Sequence, residues 1–365
     1  MNNFYHSKYS FGTSKPKKEK SKAYKVIRTL LLILLLIVIG FGFYIYNAMF
    51  KPNAWTPDAQ PASLYIEPGD TFSDVRKSLY SNGLIIKRGA FEWLAHQKGY
   101  PESVKKGHYL IKEGMSNNEL INILKAGLET PVNVIFNNIR TLPGFADRIS
   151  QQLVFESSDL MALLTDTTYL AQYEFDTLTI KSMFIPNTYE FYWTTGAKDF
   201  FERMNQEYVR FWTDERQAKA EEAGLTRMEV STLASIVESE TNKNDEKARI
   251  AGVYMNRLES GWRLQADPTL VYAIGDFSIR RVLNKHKTVN SPYNTYKYRG
   301  LPPGPITFPS IASIDAVLNY EEHDYYYFSA KPDFSGYHIF ARTNAQHQQN
   351  AREYQKALNE KKIYD

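Results

Sequence analysis

The chain is 365 residues long, 43% hydrophobic, free of cysteine and carries a formal net charge of +4 at pH 7. The absence of cysteine excludes disulfides, thiolate metal sites and cysteine nucleophiles, so any folded part must be held by its own apolar core. The positive charge comes largely from the first 28 residues, which leaves the remainder close to neutral and without the basic stripe that nucleic acid requires.

Within residues 1–28 stand Lys8, Lys15, Lys17, Lys18, Lys20, Lys22, Lys25 and Arg28 against the single acid Glu19. The uncharged run Thr29 to Tyr46, rich in Leu and Ile, then predicts a transmembrane helix over 29–47. The positive-inside rule assigns the tail to the cytoplasm, which makes a single-pass protein of the inner cell membrane with everything beyond residue 47 on the outer, periplasmic face. A cleaved signal peptide fits less well, because the apolar run is long for one and no small-residue cleavage site follows in Asn47 to Trp55. Residues 48–62, with Pro52, Pro57 and Pro61, read as an extended spacer of at most about 40 Å, and order is expected to begin near Ser63.

Residues 63–128 read as a small α+β unit. A strand over 63–67, a Pro68-Gly69-Asp70 turn and a helix capped near Thr71 come first; a strand over 108–112 and a helix opened by Ser116 and Glu119 follow. With GDTFSDV after its first strand, this pattern resembles the LysM peptidoglycan-binding module, interrupted by a helical insert from Lys87 to Tyr100. A small domain that only spaces or buttresses its neighbour satisfies the same pattern.

Residues 129–225 read as a connecting part: a strand at 132–136, helices at 141–154 and 157–164, an aromatic stretch KSMFIPNTYEFYW over 181–193, and one helix from Phe200 to Glu222. Residues 226–365 carry the chemistry. Thr226 and Glu229 form a capping box for a helix in which Val230, Leu233, Ala234 and Val237 make an apolar stripe. At about 100° per residue, Glu240 projects between Leu233, Ile236 and Val237, whereas Glu238 projects among Ser231, Ala234 and Ser235. A carboxyl among apolar side chains has a raised pKa and suits a general acid; on spacing alone, a solvated surface glutamate is the competing reading.

A second amphipathic helix follows through Ile250, Val253, Tyr254 and Leu258, closed by Gly261, with Asn256 and Arg257 near its end. In the next segment Asp267 is placed to cap a short helix, with Pro268 in its first turn. Tyr293, Asn294, Thr295 and Tyr296 then offer stacking faces and hydrogen-bonding groups beside a proline-stiffened loop. No HExxH motif or close histidine pair suggests a metal.

ASIVESET, VYMNRL, LQADPTLVYAIG, SPYNTY, GLPPGPI and YYYFSA, in that order behind one membrane anchor, resemble the YceG-like family of endolytic murein transglycosylases, the MltG proteins. The resemblance implies an α+β protein: a membrane anchor, a small LysM-like α+β subdomain and a mixed α/β catalytic domain. It implies a lytic transglycosylase that cleaves the MurNAc-GlcNAc bond of nascent peptidoglycan strands and leaves 1,6-anhydro-MurNAc ends, with no cofactor. The second glutamate of the family's IVExE motif, the general acid/base, falls on Glu240. Glu238, Gln265, Asp267, Tyr293, Asn294 and Thr295 are then expected to hold the sugars, with Gly336, His338, Phe340, Asn344 and His347 as further candidates to line the site. Glycan strands, the membrane and peptidoglycan synthases are the implied partners. A lysozyme-type hydrolase, with Asp267 or Glu190 as second acid, and a non-catalytic wall-binding scaffold are the rival readings.

Overall fold

The structure, a computed structural model, describes residues 22–361 together with Met1 and Gly12. Lys8, Lys15, Lys17, Lys18 and Lys20 of the basic tail lie outside the described residues, while Lys22, Lys25 and Arg28 stand in the first turns of helix α1 (Lys22–Phe50). This helix is long and apolar enough to cross a membrane, and no other helix among the described residues is. Its 29 residues amount to about 43 Å at 1.5 Å per residue, longer than a hydrocarbon core of about 30 Å.

The chain divides into two compact units. The first (residues 1–64, 69–105 and 109–128) contains α1, most of strand β1 (Ala62–Ile66), helices α2 (Phe72–Ser81) and α3 (Arg88–Gln97), most of strand β2 (Gly107–Ile111) and helix α4 (Asn117–Ala126). Strands β1 and β2 pair. Ser116 caps α4 with a reciprocal box: its hydroxyl accepts from the Glu119 amide at 3.2 Å, and the Glu119 carboxylate accepts from the Ser116 amide at 2.9 Å. Leu64, Val75, Leu79, Phe91, Leu94, Tyr109, Leu120 and Leu124 fill the core between these elements.

The extended spacer expected over 48–62 is not what forms. Asn53, Ala54 and Thr56 are buried, and Pro52 and Ala54 bridge to Ser116 and Ile85. The Asn117 amide donates to the Ala48 carbonyl at 2.8 Å, Asn53 donates to Asn117 at 2.7 Å, and the Lys87 amide donates to Asn53 at 2.7 Å. Two buried side-chain amides thus satisfy the backbone at the end of α1 and tie it to the folded unit, so this segment is already part of the folded unit ahead of Ser63. Prolines mark this segment as non-helical, but they do not make it free.

The second unit holds the rest, from Glu129 onward with residues 65–68 and 106–108. Strand β3 (Val132–Ile135) pairs antiparallel with β4 (Thr188–Phe191), Val132 opposite Phe191. Helices α5 (Leu142–Ser150), α6 (Ser157–Thr165), α7 (Thr167–Ala171), α8 (Ala197–Phe211) and α9 (Asp214–Glu222) surround an aromatic core of Phe136, Phe145, Phe184, Phe200, Phe201 and Phe308. Phe184, Ile185, Phe191 and Trp193 of the aromatic stretch are accordingly buried, whereas Tyr192 is exposed. The single helix expected from Phe200 to Glu222 is two, because Thr213 adopts an extended conformation and caps α9.

Helix α10 (Arg227–Glu240) is buried from Val230 through Val237, packed against α11 (Asn244–Glu259) and α13 (Ile311–Leu318). Its Thr226 cap is the expected reciprocal box, with Glu229 amide to Thr226 hydroxyl at 3.2 Å and Thr226 amide to Glu229 carboxylate at 2.8 Å. The GLPPGPI loop lies directly on this core. The Ile306 amide donates to Ser235 Oγ at 3.0 Å, and a Cβ at Gly304 would stand 2.2 Å from the Leu178 carbonyl oxygen, so only glycine permits that approach. Helix α12 (Asp267–Ile274), the antiparallel pair β5 (Tyr327–Ala330) and β6 (His338–Ala341), and helix α14 (Asn344–Glu360) complete the unit.

Candidate active site

Glu240 is the last residue of α10, and it stands where two cavities meet. One, of about 300 Å³, is walled by Pro268, Val271, Tyr272, Ile279 and Val282, with Arg140 and Arg280 at its edge. The other, of about 420 Å³, is polar and is lined by Arg257, Gln265, Lys287, Tyr296, Tyr327 and His347. Glu240 and Asp267 line both, so the two lobes form one groove with the carboxyl pair at its middle. Every one of these residues belongs to the second unit.

The Glu240 carboxyl is pushed up to about 7, chiefly by burial. The Tyr254 hydroxyl, which donates to Oε1 at 2.5 Å, pulls in the other direction; the charge of Asp267 raises it further and the Arg257 guanidinium lowers it. The position itself contributes, since the C-terminal turn of a helix disfavours negative charge. Burial holds the Tyr254 phenol well above its ordinary range, so it remains a donor to Glu240 at any physiological pH. Arg257 is fixed by bonds to backbone carbonyls, Nε to Tyr326 at 2.8 Å and Nη1 to Leu264. A carboxyl that still holds its proton near neutrality, aimed by a phenol and set at the middle of a groove, is equipped to donate a proton to a bound substrate.

Asp267 does not cap α12 as the sequence suggested. It occupies the first helical position, the residue before it is Ala266, and its Oδ1 accepts the Tyr296 hydroxyl at 2.5 Å. The first turn of a helix is a favourable place for a negative charge. Gln265, also on the groove, has φ of 51°, and its amide is held by the Thr295 carbonyl at 3.1 Å. A non-glycine residue in the left-handed region, held by its neighbours, is the kind of backbone strain found at ligand sites.

Four of the expected sugar-holding residues are not on the groove. Asn294 is fully buried: its Nδ2 donates to the carbonyls of Lys287 and Val289 at 2.9 and 2.8 Å, and its Oδ1 accepts from the amides of Tyr296 and Lys297 at 3.0 and 3.2 Å. Nothing is left to offer a sugar. Thr295 accepts from the Ala266 amide at 3.0 Å and pairs with Thr269 at 2.8 Å, and Tyr293 packs on Tyr272 within the core. These three build the loop that presents Tyr296. Glu238 points away from both lobes. It bonds Lys247 at 3.0 Å, Ser310 at 2.5 Å and also Ser313, and those partners outweigh burial and hold its carboxyl below the usual range.

Glu190 lies exposed on β4 and does not line the groove. His338 is bound to Glu246 at 3.0 Å and Phe340 packs on Phe328, so both support the β5–β6 pair. Asn344 and His347, from the first turns of α14, do line the polar lobe, and His347 stacks on Tyr327 with ring centroids 5.2 Å apart. Tyr296, which the sequence offered beside Tyr293, Asn294 and Thr295, is the member of that run that lines the groove; Tyr254, Arg257, Arg140 and Arg280 are groove residues that motif reading did not select. Tyr254 and Arg257 alone left a local trace, three residues apart on one face of a helix.

The YceG-like family model matches residues 64–353, and the chain belongs to that family. A Bacillus subtilis (strain 168) protein named endolytic murein transglycosylase is 27% identical over 336 residues, covering 88% of this chain and 92% of its own length. A protein of the same name from Streptococcus pneumoniae serotype 2 is 25% identical over 319 residues and 79% of this chain, which spans 57% of that relative's length. Among solved structures, a YceG-like protein from Listeria monocytogenes aligns over 79% of this chain and 98% of its own, at 27% identity and a TM-score of 0.55.

Proposed function

We propose that the protein is an endolytic murein transglycosylase with Glu240 as its general acid and base. The observation that carries the reading is a carboxyl raised to about 7 by burial at the junction of the two lobes of the groove. A glycan strand lies along the groove with its scissile bond over Glu240. The Glu240 O–H gives its proton to the oxygen between MurNAc and GlcNAc, the C1–O bond breaks, and positive charge develops on the MurNAc ring. Asp267, whose carboxylate faces the same groove, stabilises that charge. The Glu240 carboxylate then accepts the proton of the C6 hydroxyl as O6 closes onto C1, which leaves a 1,6-anhydro ring and returns Glu240 to its starting state. No water enters, and the tethered hydroxyl supplies the proximity that a separate nucleophile would lack.

The relatives' names support the substrate and reaction. Lys22, Lys25 and Arg28 before an apolar helix support an anchor with its N-terminus inside and the groove on the outer face, close to the synthases that extrude new strands. The first unit, a strand pair enclosing α2 and α3, extends the same reading to a LysM-like glycan-binding role for residues 63–128. Asp267 beside Glu240 favours one second reading, a hydrolase in which Asp267 activates water or attacks C1.

Mass spectrometry of uncrosslinked glycan strands incubated with the detergent-solubilised full chain separates the two. Products ending in an anhydro sugar, one water lighter than reducing ends, are expected from the parent and reduced about 10³-fold or more in Glu240→Gln. Reducing ends point to the hydrolase. Intact strands that still bind point to a scaffold.

A further inference from the structure

MurNAc and GlcNAc present the same ring and the same neutral hydroxyls; they differ at the C3 oxygen, where MurNAc carries a lactyl ether and, beyond it, the stem peptide. An enzyme that forms an anhydro ring on MurNAc must seat that sugar, and not GlcNAc, on the side of the groove that loses its C1–O bond. Neutral hydroxyl contacts cannot set this register. The anionic substituent can.

The two lobes differ in the cations they present: beyond a fixed Arg257 the polar lobe has one ammonium, Lys287, whereas the other lobe has two guanidinium groups, which suit bidentate binding of a carboxylate. In the polar lobe Arg257 is committed to two backbone carbonyls, and the Lys287 ammonium lies 4.9 Å from the centre of the Tyr296 ring. In the lobe walled by Pro268, Val271 and Val282, the exposed side chains of Arg140 and Arg280 make neither a hydrogen bond nor an ion pair with any described residue. The Arg140 guanidinium lies 5.3 Å from the centre of the Phe277 ring, which gives it a platform. Arg280 comes from segment 275–288, where Arg280, Arg281, Lys285 and Lys287 face the single acid Asp276. Two unpaired guanidinium forks above an apolar wall match a carboxylate carried on a methyl-bearing stem.

We infer that the lobe carrying Arg140 and Arg280 is the MurNAc side of the groove, and that these two residues bind the carboxylate-bearing lactyl or stem-peptide substituent and so set the register of the strand. This rests on the transglycosylase reading for the identity of the strand, but its test does not require turnover. The full chain in detergent, as Glu240→Gln, is titrated with three probes of equal length: peptide-bearing glycan, the same glycan after amidase treatment to leave the lactyl carboxylate, and neutral chitooligosaccharide. At least one carboxylate-bearing probe is expected to bind tenfold or more tighter than the neutral one, with a preference that weakens as salt is raised.

Adding Arg140→Ala and Arg280→Ala together removes that preference and leaves chitooligosaccharide binding within about twofold; Arg140→Lys with Arg280→Lys retains part of it. Tight binding of the peptide-bearing probe alone identifies the peptide carboxylates as the ligand, and tight binding of the amidase-treated probe identifies the lactyl group. A preference that survives the double alanine variant, or an equal loss for all three probes, overturns the assignment. Failure of the catalytic reading is seen separately, as a parent chain that does not cleave while the arginine-dependent preference persists.

Discussion

The two sides of the last turn of α10 carry carboxyl groups two residues apart and treat them in opposite ways. On one side, Glu238 meets Lys247, Ser310 and Ser313, and its charged form is the stable one. On the other, Glu240 loses water without gaining a comparable set of donors, and its neutral form is favoured up to about pH 7. Burial acts on both. What differs is the count of donors waiting at the end of each side chain: three for Glu238, and one phenol for Glu240 with a second carboxylate nearby. One helix thereby holds a charged carboxylate and a carboxyl that keeps its proton toward neutrality within a single turn.

Substitutions that collapse this difference test it most sharply. Glu238→Ala leaves the Lys247 ammonium, only 4% exposed, without its counter-charge, and is expected to destabilise the protein by about 3 kcal/mol as read by denaturant or thermal unfolding. Because the folded pKa of Glu238 is lowered, the parent's advantage is present above the ordinary glutamate pKa and fades as pH falls through the folded value. An equal loss at pH 3 and pH 7 would contradict the ionised assignment.

Tyr254→Phe removes the one donor to Glu240. Cleavage is expected to fall about tenfold as the carboxyl loses its alignment. The alkaline limb of the pH–rate profile, set near 7 in the parent, should move upward, because the Tyr254 hydroxyl lowers the Glu240 pKa more than the Arg257 charge does. A profile that keeps its limb, or moves it downward, would break the link between this phenol and the acid.

The smallest effect concerns stability. The folded pKa of Glu240 lies above its unfolded value, so the group's favourable contribution is complete below the ordinary glutamate pKa and is lost as pH rises through about 7. Glu240→Gln, expected to be inactive in cleavage, should therefore be more stable than the parent at pH 8 by about 1–2 kcal/mol, and the gain should shrink toward pH 5. A gain independent of pH would mean that packing and not titration is responsible.

The local part of this architecture was legible from the residues. The apolar run after a basic tail marks the membrane helix, and Thr226 with Glu229, like Ser116 with Glu119, marks helix starts because a capping box needs residues only three apart. The directions of Glu238 and Glu240 followed from helical pitch, since residues within one turn keep their angular offset whatever packs around them. Tertiary structure decided the rest. Asn294 and Thr295 are consumed by the loop that presents Tyr296, and no spacing rule tells a loop's own hydrogen-bond partner from a ligand's. Asn53 and Asn117 turned a proline-marked spacer into folded structure through bonds between residues 64 apart. Arg140 reaches the groove from about a hundred residues upstream of Glu240, and Arg280 from a basic loop with no motif of its own. Pitch and capping are short-range properties of the backbone; which side chains converge on one cavity depends on how distant segments bury their apolar faces together.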